Sequence, residues 1–182
     1  MVAKHKPWKT LATKIVHTNP WYKVRHDKFT LPKGKIGNYY FIDFKASVFI
    51  IPIEKNSIIL EKIYRYPLKK WFLELPGGGS REQKSVLETA KSELKEELGY
   101  IGKFKKIGQF VPYNGVSKET CYVFQATDLK FVGCHREETE ILKEVRLPIK
   151  KVYRMLDEGK FSDGMTMAAL ALARKYLVKN YL

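Results

Sequence analysis

At 182 residues with 45% hydrophobic content, the chain has enough apolar material for one domain with a substantial core and is cramped for two. Its 34 Lys and Arg against 19 Asp and Glu give a net charge of +15, which attracts polyanions without choosing among nucleic acid, membrane surface and nucleotide. No apolar run reaches membrane-spanning length, no DNA- or RNA-binding motif accompanies the scattered lysines, and Cys121 and Cys134 form no ligand spacing. These features argue against a membrane protein, a DNA-binding module and a zinc module, and with no signal-like N-terminus they point to a reducing cytoplasm.

The first third of the chain reads as strands near residues 9–17, 21–31, 38–44, 46–53 and 57–65. These segments are rich in Val, Ile, Tyr and Phe and are separated by Asn19-Pro20, Pro32-Lys33-Gly34 and Glu54-Lys55-Asn56. A helix is predicted at 85–98, with Ser85 as N-cap and Glu88 completing a capping box. Its Leu87, Ala90, Leu94 and Leu98 recur at helical period and are expected to face a core. Strands near 104–112, 119–127 and 143–149 lead to helices near 149–158 and 163–180, the first stopped by Gly159. This order predicts an α+β chain with a mixed sheet flanked by helices.

The most informative stretch is 74–100, where a glycine turn (Gly77, Gly78, Gly79) precedes an acidic helix. Residues three and four apart share a helical face, so Glu93, Glu96 and Glu97 crowd together, on the side opposite the apolar stripe. Unneutralised they repel. Carboxylate oxygens suit Mg²⁺, with Mn²⁺ as the alternative, because these hard cations also bind substrate phosphates. With Lys91 and Lys95 interspersed, the same residues read equally well as a solvated face. The glycines tip the balance, since they let backbone approach a ligand closely.

Gly78, Glu93, Leu94, Glu96, Glu97, Gly99 and Tyr100 make this stretch resemble the signature box of the Nudix hydrolases, with Lys84 where that box has a Glu and Ser92 where it has an Arg. Lys84 is expected to replace the missing Arg by approaching Glu88 or the carboxylates of the helix. Three further segments resemble the ADP-ribose and nucleotide-sugar pyrophosphatase branch. They are Ile63-Tyr64-Arg65-Tyr66-Pro67, Phe72-Leu73-Glu74-Leu75-Pro76-Gly77-Gly78, and Val111-Pro112-Tyr113-Asn114-Gly115-Val116-Ser117-Lys118-Glu119, the last with Asn114 in place of a proline.

The resemblance implies an α/β/α sandwich spanning 1–182, with a β arm over 1–45 used in homodimerisation. It implies a metal site at Gly77, Glu93, Glu96, Glu97 and Glu140, and catalysis by Glu93, Glu97 and Glu138, the last as general base. Arg65, Glu74, Pro112 and Asn114 are implied substrate contacts. Glu137-Glu138-Thr139-Glu140 also reads as a solvated acidic turn. In the arm, Trp21 and Tyr22 offer stacking surfaces for a nucleobase and Arg25 a phosphate contact, although filling a dimer core is an equally good role for the aromatics. The implied reaction is metal-dependent hydrolysis of ADP-ribose or a related nucleoside diphosphate sugar to a nucleoside monophosphate and a sugar phosphate. Action on RNA 5′ ends and catalytically silent nucleotide binding are the alternatives.

Overall fold

The computed structural model describes residues 8–80, 83–133 and 142–181, and these fold as two units. The first comprises the N-terminal segment to Lys45 with residues 113–119. Its strands β1 (Lys9–Thr18), β2 (Lys23–Thr30) and β3 (Ile36–Asp43) form an antiparallel sheet in that order. The strand predicted from residue 21 begins at Lys23, because the Asn19 Oδ1 accepts the backbone N–H groups of Trp21 and Tyr22, both at 2.9 Å, and holds them in a turn. Residues 113–119 run along β3, with the Ile42 N–H donating to the Val116 carbonyl at 2.8 Å.

The second unit is built around β4 (Ser47–Glu54), whose unbroken apolar run suits a strand covered on both faces. In chain order there follow β5 (Ser57–Arg65), β6 (Lys70–Glu74), β7 (Gly77–Gly79), α1 (Val86–Leu98), β8 (Tyr100–Phe110), β9 (Cys121–Phe131), β10 (Leu142–Pro148), α2 (Ile149–Asp157) and α3 (Gly164–Tyr181). The sheet order is β10-β5-β4-β9-β8, with β6 on β5 and β7 on β4. Parallel pairing of β4 with β9 makes it a mixed sheet. Val48, Ile50 and Ile59 pack on one face with Ala90, Leu94 and Leu98 of α1. Phe49, Ile51, Ile58 and Leu60 pack on the other with Val152 of α2 and with Leu170, Ala173 and Leu177 of α3. Period-2 alternation along β4 thus feeds two cores and makes an α/β/α sandwich.

Four expectations need correcting. Gly77–Gly79 is not a turn but a short strand, antiparallel to Ser47, Val48 and Phe49 of β4. Leu87 is 38% exposed, and Thr89 takes the buried place instead. The buried stripe of α1 is centred on Ala90, Glu93, Leu94 and Glu97, so the two carboxylates flank the packed face rather than oppose it. β8 also starts earlier than predicted, at Tyr100, because Gly99 adopts a left-handed φ of 76° that ends α1 and turns the chain straight into a strand.

Candidate active site

The glycine strand brings backbone under the carboxylates of α1. A Cβ on Gly77 would lie 2.1 Å from the Val48 carbonyl oxygen, so any side chain there would force β7 away from β4. A Cβ on Gly78 would lie 2.9 Å from the carboxyl carbon of Glu93, which occupies that space. The Gly77 N–H donates to Glu97 Oε2 at 2.9 Å, a charge-assisted bond that fixes this carboxylate over the strand. Glu93 and Glu97 are buried, and Glu96, one residue away, is half-buried. The structure therefore brings together Gly77, Glu93 and Glu97, with Glu96 on the same helix beside them.

The start of α1 is also fixed. Ser85 accepts the Glu88 N–H, and the Glu88 carboxylate accepts from the Ser85 N–H and hydroxyl at 2.8 and 2.6 Å, which is the predicted capping box. Lys84 lies near enough for its charge to help hold the Glu88 carboxyl below its ordinary range, after the hydrogen bonds from the Ser85 side chain and backbone. Its ammonium donates to Ser92 Oγ at 2.9 Å, so the two positions that depart from the family box are bonded to each other.

Beside this helix lies a second carboxylate group. Arg65 holds Glu74 by paired bonds at 3.0 and 2.5 Å, Nε to Oε1 and Nη2 to Oε2. The Glu74 bond above all, against the opposing effect of burial, raises the Arg65 pKa, and the charges of Glu74, Asp163 and Glu97 add to it. Arg65 is therefore within electrostatic reach of α1. Strand register aligns Glu144, Glu61 and Glu74 in one row across β10, β5 and β6. Alternation puts Glu61 on the same face as Ile59, which packs under α1.

Sequence reasoning missed Glu61, Asp163 and Thr166. Thr166 Oγ1 accepts the Leu75 N–H at 3.0 Å, and Asp163 caps α3 by accepting the Thr166 N–H at 2.7 Å. The start of α3 thereby braces the segment between Glu74 and Gly77. The Asp-x-x-Thr spacing before an apolar helix was the signal available for it. For Glu61 the only signal was an acid inside an apolar strand.

In the first unit, Trp21 is 79% exposed at its turn, while Tyr22 packs edge-on against Phe44 with centroids 5.4 Å apart. Arg25 is ion-paired with Asp43, which Lys118 also grips at 2.6 Å. Burial pushes the Asp43 pKa up, but hydrogen bonds from Lys118 and Arg25 outweigh it and hold the carboxyl below its ordinary range. Asn114 lines a cleft of about 200 Å³ with Tyr39, Phe41 and Lys118. Pro112, in the second unit, is half-buried just after β8. Glu138 and Glu140 lie outside the described residues.

Among the described residues no three His, Cys, Asp or Glu side chains stand close enough together to hold a metal ion. The donor set nevertheless fits a hard divalent cation. Mg²⁺ keeps several waters and takes only one or two protein carboxylates plus substrate oxygens, and buried Glu93 and Glu97 supply that many.

Comparison with known proteins identifies the family and the fold. Residues 8–42 match the nucleoside diphosphate sugar hydrolase N-terminal domain family, and residues 43–167 match the NUDIX domain family. The ADP-ribose pyrophosphatase of Bacillus subtilis is 25% identical over 89% of this chain and 90% of its own. The ADP compounds hydrolase NudE of Escherichia coli is 30% identical over 73% of this chain and 72% of its own. A crystal structure of an ADP compounds hydrolase superposes with a TM-score of 0.86 over 97% of this chain and 98% of that one, at 22% identity, and so shares the fold. A mixed sheet between helices, with a glycine strand under the carboxylates of α1 and a Nudix match over residues 43–167, is one consistent finding: the chain belongs to the Nudix hydrolase family.

Proposed function

We propose that the chain hydrolyses the diphosphate bond of ADP-ribose or a related nucleoside diphosphate sugar, releasing a nucleoside monophosphate and a sugar phosphate. The observation that carries this reading is the docking of Glu93 and Glu97 on the backbone of Gly77 and Gly78, which sets two buried carboxylates over a side-chain-free strand. The names of the Bacillus subtilis and Escherichia coli relatives support the substrate class.

In this proposal Glu93, Glu96, Glu97 and the Gly77 carbonyl hold Mg²⁺ or Mn²⁺, which when bound supplies charge neutralisation at the phosphate oxygens and makes coordinated water more acidic. Glu97, bonded to the Gly77 N–H, keeps the acid cluster in register with the strand. The guanidinium of Arg65, half-exposed and oriented by Glu74, offers donor groups to a phosphate oxygen. By its sequence match Glu138 removes the proton from the attacking water, and Glu140 is a further ligand.

The same proposal has a second copy of this chain covering β1, because all ten residues of that strand are exposed, Leu11, Ile15 and Val16 among them. No helix among the described residues is long and apolar enough to cross a membrane. The functional reading is tested by product release from ADP-ribose, nucleoside diphosphate sugars, dinucleotides and capped RNA with Mg²⁺ or Mn²⁺. Turnover of the first two classes is the expected result. Turnover of capped RNA alone, falling steeply with salt, would replace it with action on RNA ends.

A further inference from the structure

The bond between Lys84 and Ser92 spans eight residues and ties the segment after the glycine strand to the middle of α1. Helical period sets Ser92 one turn from Glu88 and one turn from Glu96, and next to Glu93 in sequence. An ammonium delivered to Ser92 therefore arrives on an acidic row, where a charged donor strengthens the bond and offsets the repulsion between neighbouring carboxylates. Its charge is felt there. The Glu88 carboxyl is held below its ordinary range first by hydrogen bonds from the Ser85 side chain and backbone, and further by the charges of Lys84 and Lys91.

The other side of α1 leaves no slack. Glu93 fills the space over Gly78, and Glu97 depends on the Gly77 N–H at 2.9 Å. With side chains reaching about 6 Å from the helix axis, a rotation of about 10° displaces a carboxylate by roughly 1 Å. That shift would drive Glu93 into β7 or break the Glu97 bond. The capping box holds only the first turn, so rotation at the level of Glu93 is opposed from the exposed side by the Lys84–Ser92 tie.

We propose that Lys84 is a positioning residue, which through Ser92 fixes the rotation of α1 against the glycine strand and so sets the register of Glu93, Glu96 and Glu97. The proposal rests on reading this site as the hydrolytic centre. Charge is part of the device, and exchanging Lys84 for an acid and Ser92 for an arginine would rebuild a charged tie across the same positions with reversed polarity.

The test is a mutant cycle of Lys84→Ala, Ser92→Ala and their double, with Lys84→Arg, Lys84→Glu, and Lys84→Glu combined with Ser92→Arg. Each protein is measured for kcat and KM on ADP-ribose well below its melting temperature, and for Mn²⁺ affinity by calorimetry. Lys84→Glu is expected to lower kcat about tenfold or more, with KM within about twofold, since a misplacement of roughly 1 Å can cost up to about a hundredfold. Lys84→Arg and the reversed pair should recover most of that loss, and the two alanine effects should not add.

Additive alanine effects, or a reversed pair no better than Lys84→Glu, would overturn the proposal. So would a lower melting temperature with kcat unchanged, the mark of a purely structural contact. The same cycle read in Mn²⁺ affinity needs no turnover. If the wild-type protein hydrolysed nothing, the functional reading would fail, and coupling or additivity in Mn²⁺ affinity would still decide the tether.

Discussion

β1 and β4 are both strands with apolar centres, yet every residue of β1 is exposed while β4 buries all but its two end residues. The difference separates two sources of order. β4 is fixed by two hydrophobic cores, one on each face, and can serve as the rigid floor on which β7 and α1 are registered. β1 is held by its ladder to β2, which is interrupted by two register shifts, and its outward residues contribute nothing until something covers them. A catalytic geometry needs the first kind of support and an assembly surface the second.

The largest effect should come from breaking the floor. Ile51→Ala removes a fully buried side chain from the α2–α3 face of β4 and is expected to cost about 4 kcal/mol in urea unfolding. Next is the registration that the floor permits. Gly78→Ala places a methyl against the Glu93 carboxylate and should lower kcat about a hundredfold, or about 3 kcal/mol, while thermal unfolding shows the fold intact.

A smaller effect lies in the first unit, where Asp43 ties β2 to residues 113–119 through Arg25 and Lys118. Its folded pKa is depressed, so the stabilisation is present at neutral pH and lost as pH falls below about 4, through the folded value. Asp43→Asn should therefore cost about 1 kcal/mol at pH 7, and the difference from wild type should vanish in acid. The smallest effect completes the contrast with Ile51. Ile15→Lys should change the stability of an isolated chain by less than about 0.5 kcal/mol. If a second copy covers β1, the wild-type melting temperature will rise with protein concentration and that of Ile15→Lys will not.

Much of the sheet was legible because Val, Ile and Phe runs between turn residues report strands whatever their burial, as in 46–53 and 57–65. Helix α1 was legible to within a residue, since Ser85, Glu88 and Gly99 all carry local signals. The glycine strand was not, because Gly77–Gly79 has turn composition and becomes a strand only by pairing with β4. The burial of Glu93 and Glu97 was hidden for a related reason. Helical period identifies residues that share a face, but the neighbour, here a strand without side chains, decides that acids can flank the packed one. Glu61 and the Asp163–Thr166 brace depend on strand register and on a contact 91 residues apart, beyond any local pattern.

The most direct test is the rate of ADP-ribose hydrolysis across a Mn²⁺ titration by wild-type protein and by Glu97→Gln. Saturable, metal-dependent turnover that falls at least about a hundredfold in the variant, with its fold retained, is the predicted result. Equal turnover in the two proteins, or turnover indifferent to the metal, would contradict the assignment of hydrolysis to the carboxylates of α1 over the glycine strand.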